Sequence, residues 1–265
     1  MLVGVLMLAG GAAAGAFGSL LGLGGGVLIV PLLTLGFGLP LRDAVGVSLV
    51  CVVMTSSAAA GVYLERRVAD LRLGMTLELF TAMGALLGGS IAFLLDERTL
   101  AGLFAILLLY VSVSMFRSGR RAAVPASPAG EPDAPDPPSS APPAIRGFRI
   151  GIVGSFGAGI VSALLGIGGG MIKVPLMHLA MGVPLRVATA TSNLMIGITA
   201  AASAVIYALN GGIDPYVAGP TAVGVFIGAT AGSRVAHRVS VRWLRILFVV
   251  VLGYTAVQML LRAVG

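Results

Sequence analysis

Hydrophobic residues in this chain come in long, nearly unbroken runs separated by short polar turns. In the first half the runs are Met1 to Leu21, Ala44 to Leu64, Leu73 to Leu95 and Thr99 to Phe116. In the second half they are Ile150 to Leu165, Val187 to Leu209, Tyr216 to Gly232 and Trp243 to Leu261. Each approaches or exceeds the roughly 18 to 20 residues that cross a bilayer as an α-helix. Ala, Leu and Gly dominate the runs, without the two-residue alternation of an outer-membrane barrel. Two further apolar segments are short, Gly26 to Leu39 and Gly170 to Val183. At about 1.5 Å per residue these reach only part of the way across. Each is either a tilted short helix or one arm of a re-entrant hairpin with the segment before it. The predicted fold class is an all-α polytopic membrane protein.

Composition agrees: 57% of the 265 residues are hydrophobic and 10% charged. A soluble domain carries about 25% charged residues to cover its surface.

Shifting the chain by 144 residues superposes its halves without a gap, Gly15 falling on Gly159. LLGLGGGVLIVPL, from Leu20, matches LLGIGGGMIKVPL, from Leu164. The register continues through Pro40/Pro184, Arg42/Arg186, Ser48/Ser192, Tyr63/Tyr207, Asp70/Asp214, Gly84/Gly228, Gly88/Gly232, Phe104/Phe248 and Tyr110/Tyr254. One register held this far is an internal duplication. The near-copy also argues against reading the first run as a signal peptide. The chain therefore divides into a first transmembrane repeat (1–117), a Pro/Ala-rich linker (118–146) and a second repeat (147–265). The linker, with PASPAGEPDAPDPPSSAPP, lacks the apolar content to bury a core and reads as a tether.

The net charge of +7 changes the topology rather than the partner. The arginines lie between the apolar runs and form no single patch, so nucleic acid is not indicated. Arg66, Arg67 and Arg72 follow the third segment, and Arg117, Arg120 and Arg121 open the linker; both sites should be cytoplasmic. In the second copy the bias reverses. Asn210 to Asp214 carries no basic residue, whereas Arg234, Arg238, Arg242 and Arg245 gather where the first copy has Asp96-Glu97-Arg98. An odd number of crossings per copy gives this inversion, a recurring build of secondary transporters. Linker cytoplasmic and termini periplasmic is the expected arrangement.

Candidate chemistry centres on the duplicated glycine breaks. Gly22, Gly24, Gly25 and Gly26 fall within five residues, as do Gly166, Gly168, Gly169 and Gly170. Each glycine costs a helix about 1 kcal/mol relative to alanine. A break inside a membrane persists only within protein or along a polar cavity. The amides opening the following short helix then face that cavity with the positive end of its dipole. This predicts an anion cradle formed by two breaks facing each other. Close helix packing through small-xxx-small spacing, as at Gly18, Gly22 and Gly26, is the competing reading.

Lys173 has Ile29 as its counterpart, so its charge occurs in one copy only. It reads as a counter-charge for an anion, or else as a lysine snorkelling from a helix end. His178 replaces Thr34 and is a candidate for proton coupling or for packing. Asn193, Ser192 and Ser48 add polar groups that bond an oxyanion or a neighbouring helix. Of the acids, only Glu78 enters an apolar segment, one turn from its start. Coupling through a buried carboxylate and two-carboxylate catalysis are accordingly not expected. No metal-ligand spacing appears, no cofactor is implied, and the single cysteine, Cys51, forms no internal disulfide. An enzyme is not expected.

The duplicated LGxGGGxxxVP, the following Pro-Leu-Arg and Ser, and the later glycine-spaced helix resemble the sulfite exporter TauE/SafE (TSUP) transporters. The likeness covers nearly the whole chain outside the linker. It implies permeation of sulfur-containing anions such as sulfite, thiosulfate, sulfoacetate or related organosulfonates across the bacterial inner membrane. Gly22 to Gly26 with Pro31, and Gly166 to Gly170 with Pro175, are the positions that match the motif. Export is the favoured direction, because an expelled negative charge gains about 2.3 kcal/mol per 100 mV of inside-negative potential. The alternatives are a cation-coupled importer of sulfur compounds and a non-transporting membrane scaffold. Lipid is the surrounding partner, and a second copy of the chain a further candidate.

The reversed arginine bias makes a direct prediction. Reporters fused at the Asp96 turn should read periplasmic and those at the Arg238 turn cytoplasmic; the same side for both would refute the inversion.

Overall fold

A computed structural model describes residues 2–20, 26–65, 70–118, 147–235 and 241–264. Gly22, Gly24, Gly25, Arg66, Arg67, the Arg238 turn and nearly all of the linker lie outside the described residues. The elements are α1 (Leu2–Leu20), α2 (Gly26–Pro31), α3 (Leu41–Glu65), α4 (Leu71–Leu94) and α5 (Glu97–Ser118), then α6 (Phe148–Leu165), α7 (Gly170–Pro175), α8 (Leu185–Leu209), α9 (Pro215–Val235) and α10 (Val241–Val264). No strand occurs among the described residues.

Both short helices end on a proline and run into a π-helical turn, Leu32–Gly36 after Pro31 and Leu176–Ala180 after Pro175. Proline contributes no N–H to the i−4 ladder, and the wider turn accommodates the loss. Among the described residues, Leu71–Leu94, Phe148–Leu165 and Val187–Leu209 are long and apolar enough to cross a membrane. The outer surface is apolar too. Met75, Leu79 and Leu94 on α4, Ile106 and Tyr110 on α5, and Val250 on α10 are all exposed. Helices that are apolar all round belong in lipid.

The short segments are return arms. Leu176 lies against Gly154, Met181 against Gly151, and the Ala180 carbonyl against Gly147. The chain therefore goes in along α6, turns at Gly166–Gly170, and comes back antiparallel through α7 and its π turn. Leu32 against Gly10 places the first return arm along α1 in the same way. Of the two arrangements that the sequence left open, the structure has the hairpin. The tip of the second hairpin touches Ile196, near the midpoint of the 25-residue α8. That is about 17 Å along the helix from its start, roughly half a bilayer core.

Helices α3 and α8 cross antiparallel. Gly46, early in α3, abuts Gly212 just past the end of α8, while the Asp70 amide beyond α3 donates to Thr191 Oγ1 near the start of α8 (2.9 Å). The flanking crossings pair α1 with α9 and α4 with α6. Both crossings are backbone on backbone. A Cβ on Gly228 would collide with the Ala12 carbonyl, one on Gly84 with that of Phe156, and one on Gly159 with that of Thr81. These glycines are present because nothing larger fits.

The crossings generate a paired prediction. Gly84→Ala should destabilise the protein by roughly 1–3 kcal/mol, the usual cost of overpacking. Gly253→Ala in α10, where an added Cβ meets nothing within 4 Å, should be neutral or stabilising by about 0.5–1 kcal/mol. Thermal unfolding of the detergent-solubilised variants measures both; equal effects would mean that the α4–α6 contact does not depend on the missing side chain.

Candidate functional site

The tip of the second hairpin meets the start of α2 in the first half. Helix α6 stops at Gly166, which takes the left-handed conformation (φ 70°) with its N–H on the Ser162 carbonyl (2.9 Å). Gly168 (φ 79°) and Gly169 (φ 75°) are left-handed as well, a region that costs an L side chain roughly 1–2 kcal/mol. The helical ladder resumes with the N–H groups of Ile172 and Lys173 on the Gly169 carbonyl, both at 3.1 Å. The amides of Gly170 and Met171 precede that ladder and are not used by it.

From the other half, Gly26 lies so close that its missing Cβ would stand 2.8 Å from the Gly166 carbonyl oxygen. Ser48 on α3 stitches the two tips together, its hydroxyl lying 2.7 Å from the Gly166 carbonyl and 3.1 Å from that of Gly26. Val52 and Ile196 close over Gly168, and Ile196 also packs on Gly170.

Beside this junction is an ion pair. Lys173 Nζ lies 3.0 Å from Glu78 Oε2 on α4, and the residues are 1% and 3% exposed. Thr199 on α8 completes a triangle. Its hydroxyl oxygen is 2.6 Å from Lys173 Nζ, 2.6 Å from Glu78 Oε1 and 3.1 Å from the Met195 carbonyl. Taking two charges out of water is costly, and only such mutual satisfaction makes it tolerable. Two sequence readings need correction here. A buried carboxylate is not expected from the sequence, yet Glu78 is one, because the early turns of α4 pack against α6, α8 and the second return arm. Lys173 does not snorkel, since its partner is inside the protein.

Uncommitted polarity continues along α6. The hydroxyls of Ser155 and Ser162 are fully buried and have no hydrogen-bond partner, and the same holds for Ser192 on α8. Such orphans are rare in native interiors and call for an explanation. Two of them lie at the tip: Ser162 and the Lys173 stem flank Gly169, and Ser192 Oγ faces Gly170, while Ser155 stands two turns further back on α6.

Other candidates are less central. The Asn193 side-chain amide donates to the Thr189 carbonyl one turn back (3.1 Å), and the Asn193 backbone carbonyl accepts from the Ser56 hydroxyl. His178 is exposed, with Nδ1 2.9 Å from the Val183 carbonyl, and it closes the turn at the outer end of the return arm. An apolar groove bounded by Val5, Leu8, Pro220 and Val223 lies between α1 and α9 and offers an anion nothing. No group of three or more potential metal ligands occurs among the described residues.

Sequence reasoning missed Glu78 and Thr199 as members of the site, and Ser155 and Ser162 altogether. A signal existed for the first: Lys173 and Glu78 are single opposite charges within otherwise apolar runs. Nothing comparable marked the serines, which sit among many small residues.

Re-entrant segments inside a bundle of apolar helices are a build found in polytopic membrane transporters, and the chain's relatives agree. This chain belongs to the sulfite exporter TauE/SafE family, whose match covers residues 7–259. It is similar to the probable membrane transporter protein YunE of Bacillus subtilis, 25% identical over 268 residues and 97% of both chains. A probable membrane transporter protein of Xylella fastidiosa (strain 9a5c) is 29% identical over 222 residues, covering 83% of this chain and 80% of its own. One from Methanocaldococcus jannaschii is 25% identical over 264 residues, covering 93% and 91%. No solved structure matches the chain.

The ion pair sets the next prediction. Lys173→Met alone should destabilise the fold by about 3–5 kcal/mol, because it strands Glu78. The double variant Lys173→Met/Glu78→Gln should recover most of that loss. Thermal melts of the three proteins test this, and a single variant as stable as the wild type would show that the pair carries no structural coupling.

Proposed function

We propose that this transporter carries small sulfur-containing anions, such as sulfite, thiosulfate, sulfoacetate or related organosulfonates, across the bacterial inner membrane through the junction of its hairpin tips. One observation carries the reading: the tip of the second hairpin meets the start of α2 about halfway along α3 and α8, beside a buried ammonium and two hydroxyls without partners. A tetrahedral or pyramidal oxyanion presents several acceptors to converging donors. The amides of Gly170 and Met171, the hydroxyls of Ser162 and Ser192, and Lys173 are the donors within reach of the tip. Ser48 serves by holding the tips together, and Gly168 and Gly169 by leaving backbone uncovered. Gly22, Gly24 and Gly25 would supply the first half's share.

The antiparallel α3–α8 crossing, with each hairpin beside the start of its own long helix, supports inverted repeats. The arginine bias supports a cytoplasmic linker and periplasmic termini. Export is the favoured direction for a net negative complex, at about 2.3 kcal/mol per charge per 100 mV. The lack of buried acids no longer argues for uncoupled movement, since Glu78 is buried. Coupling to a cation therefore gains support, whereas a scaffold without a substrate leaves the orphan hydroxyls unexplained.

Proteoliposomes loaded with radiolabelled sulfite, thiosulfate, sulfoacetate or sulfate test the proposal. Protein-dependent efflux of at least one of the first three is expected, faster with an inside-negative potential. If monodisperse protein moves none of them above empty liposomes, the substrate class is wrong.

A further inference from the structure

The Lys173–Glu78–Thr199 triangle combines three features that a static staple does not need together. Two formal charges are buried at the tip of a hairpin, beside hydroxyls that have no partner. Its threonine sits within hydrogen-bond reach of two different acceptors, a carboxylate oxygen and a backbone carbonyl. The repeat-related positions carry no charge: Lys173 falls on Ile29 of the first half and Glu78 on Ala222 of the second, and both belong to one buried cluster.

Consider what an anion does on reaching Lys173. The ammonium has one positive charge and already faces Glu78. An anion arriving beside Ser162 and Gly169 adds a second negative charge next to two buried side chains, where like charges repel strongly. The pocket stays balanced if Glu78 takes up a proton as the anion binds. From the resting ion pair plus one anion and one proton, the product is an ammonium–anion pair and a neutral carboxylic acid.

Thr199 allows this exchange without leaving a broken bond. While Glu78 is ionised, the threonine hydroxyl donates to Glu78 Oε1 (2.6 Å). When Glu78 is protonated, its own O–H donates to Thr199, whose proton turns to the Met195 carbonyl (3.1 Å). Glu78 is thus satisfied in both protonation states, as a buried group must be.

We infer that Glu78 is the proton-carrying residue of the anion site, so that each anion bound at Lys173 is accompanied by one proton taken from the water on that side. This rests on the anion-transport reading above and adds the coupling ion. A monoanion would then cross without net charge, and a dianion with one net negative charge. The membrane potential still drives dianion export. The other charged or titratable groups on the surrounding elements lie at their outer ends. Among the described residues these are Asp70 and Arg72 at the start of α4, Arg149 in the first turn of α6, exposed His178 on the π turn after α7, and Tyr207 near the end of α8, whose hydroxyl donates to the Ala163 carbonyl (3.0 Å). The described side chains of α8 carry no charge.

Thiosulfate is a suitable probe because it remains a dianion over the useful pH range. Its affinity for purified protein should rise as pH falls, by up to about tenfold per unit, the limit for one linked proton. Adding it to weakly buffered protein with an indicator dye should show about one proton taken up per anion bound. Glu78→Gln keeps the ammonium and a hydrogen-bonding amide, so it should bind thiosulfate with no proton uptake and a flat pH profile. The neutral double variant Lys173→Met/Glu78→Gln should lose binding by at least tenfold at every pH. Wild-type binding without proton uptake would overturn the inference while leaving anion transport standing, and needs no variant to be read. Proton uptake that persists in Glu78→Gln would overturn the role of Glu78. If neither thiosulfate, sulfite nor sulfoacetate binds the wild type at any pH, the anion reading falls and this inference with it.

Discussion

A peptide group that leaves a helix inside hydrocarbon loses its ladder partner and has no water to replace it. Much of this structure answers that constraint at two places, the tips of the re-entrant hairpins. Bringing the tips together lets one hydroxyl, Ser48, serve carbonyls from both halves. Supporting the tips at half depth requires long helices alongside, which α3 and α8 provide, with Val52 and Ile196 closing over the glycines. Holding those helices close requires the flanking pairs, α1 with α9 and α4 with α6, to cross on bare backbone. The glycine pattern of the sequence therefore has two physical origins. At Gly84, Gly159 and Gly228 it removes bulk; at Gly166, Gly168 and Gly169 it permits left-handed backbone.

That distinction explains how much was legible beforehand. Long apolar runs specified the helices because hydrophobic length is a strong signal, and their observed bounds differ by only a few residues from the runs. The short segments specified a partial crossing but not its direction. A tilted helix and a return arm have the same composition, and only tertiary contacts such as Met181 on Gly151 separate them. The glycine breaks were visible as a motif, yet whether they packed or lined a site was not, and both uses occur within a few residues of each other. Asn193 looked as eligible as Ser192; the structure has its amide bonded to its own helix while the Ser192 hydroxyl is left free.

Glu78 was misread for a definable reason. Its position one turn into an apolar run suggested the membrane edge, where a carboxylate reaches water at little cost. Depth along a helix is not exposure, however. The early turns of α4 are covered by Met177 and Met181 of the second return arm, which share a cluster with Leu73 and Leu77. That cover exists only because the chain doubles back, so the error about Glu78 and the ambiguity about the hairpin are the same missing fact.

The asymmetry between the halves then bears on why an ion pair is there at all. A buried salt bridge is weak support for a fold: replacing one by well-packed apolar residues is often neutral or stabilising. This protein contains its own comparison. At the positions matching Lys173 and Glu78 stand Ile29 in the first half and Ala222 in the second, both buried and both part of the main core. The matching threonine, Thr55, bonds the Val52 carbonyl of its own helix (3.1 Å). Ile29 and Ala222 are thus buried in the main core without a charge, so the architecture common to the two repeats does not require an ion pair at these positions. Packing alone would be satisfied by either version, and so does not account for a charged one. What the charged pocket adds is an ammonium beside the hairpin tip, a carboxylate able to hold or release a proton, and a hydroxyl that accommodates both states. Those are the properties that the proposed anion site calls for.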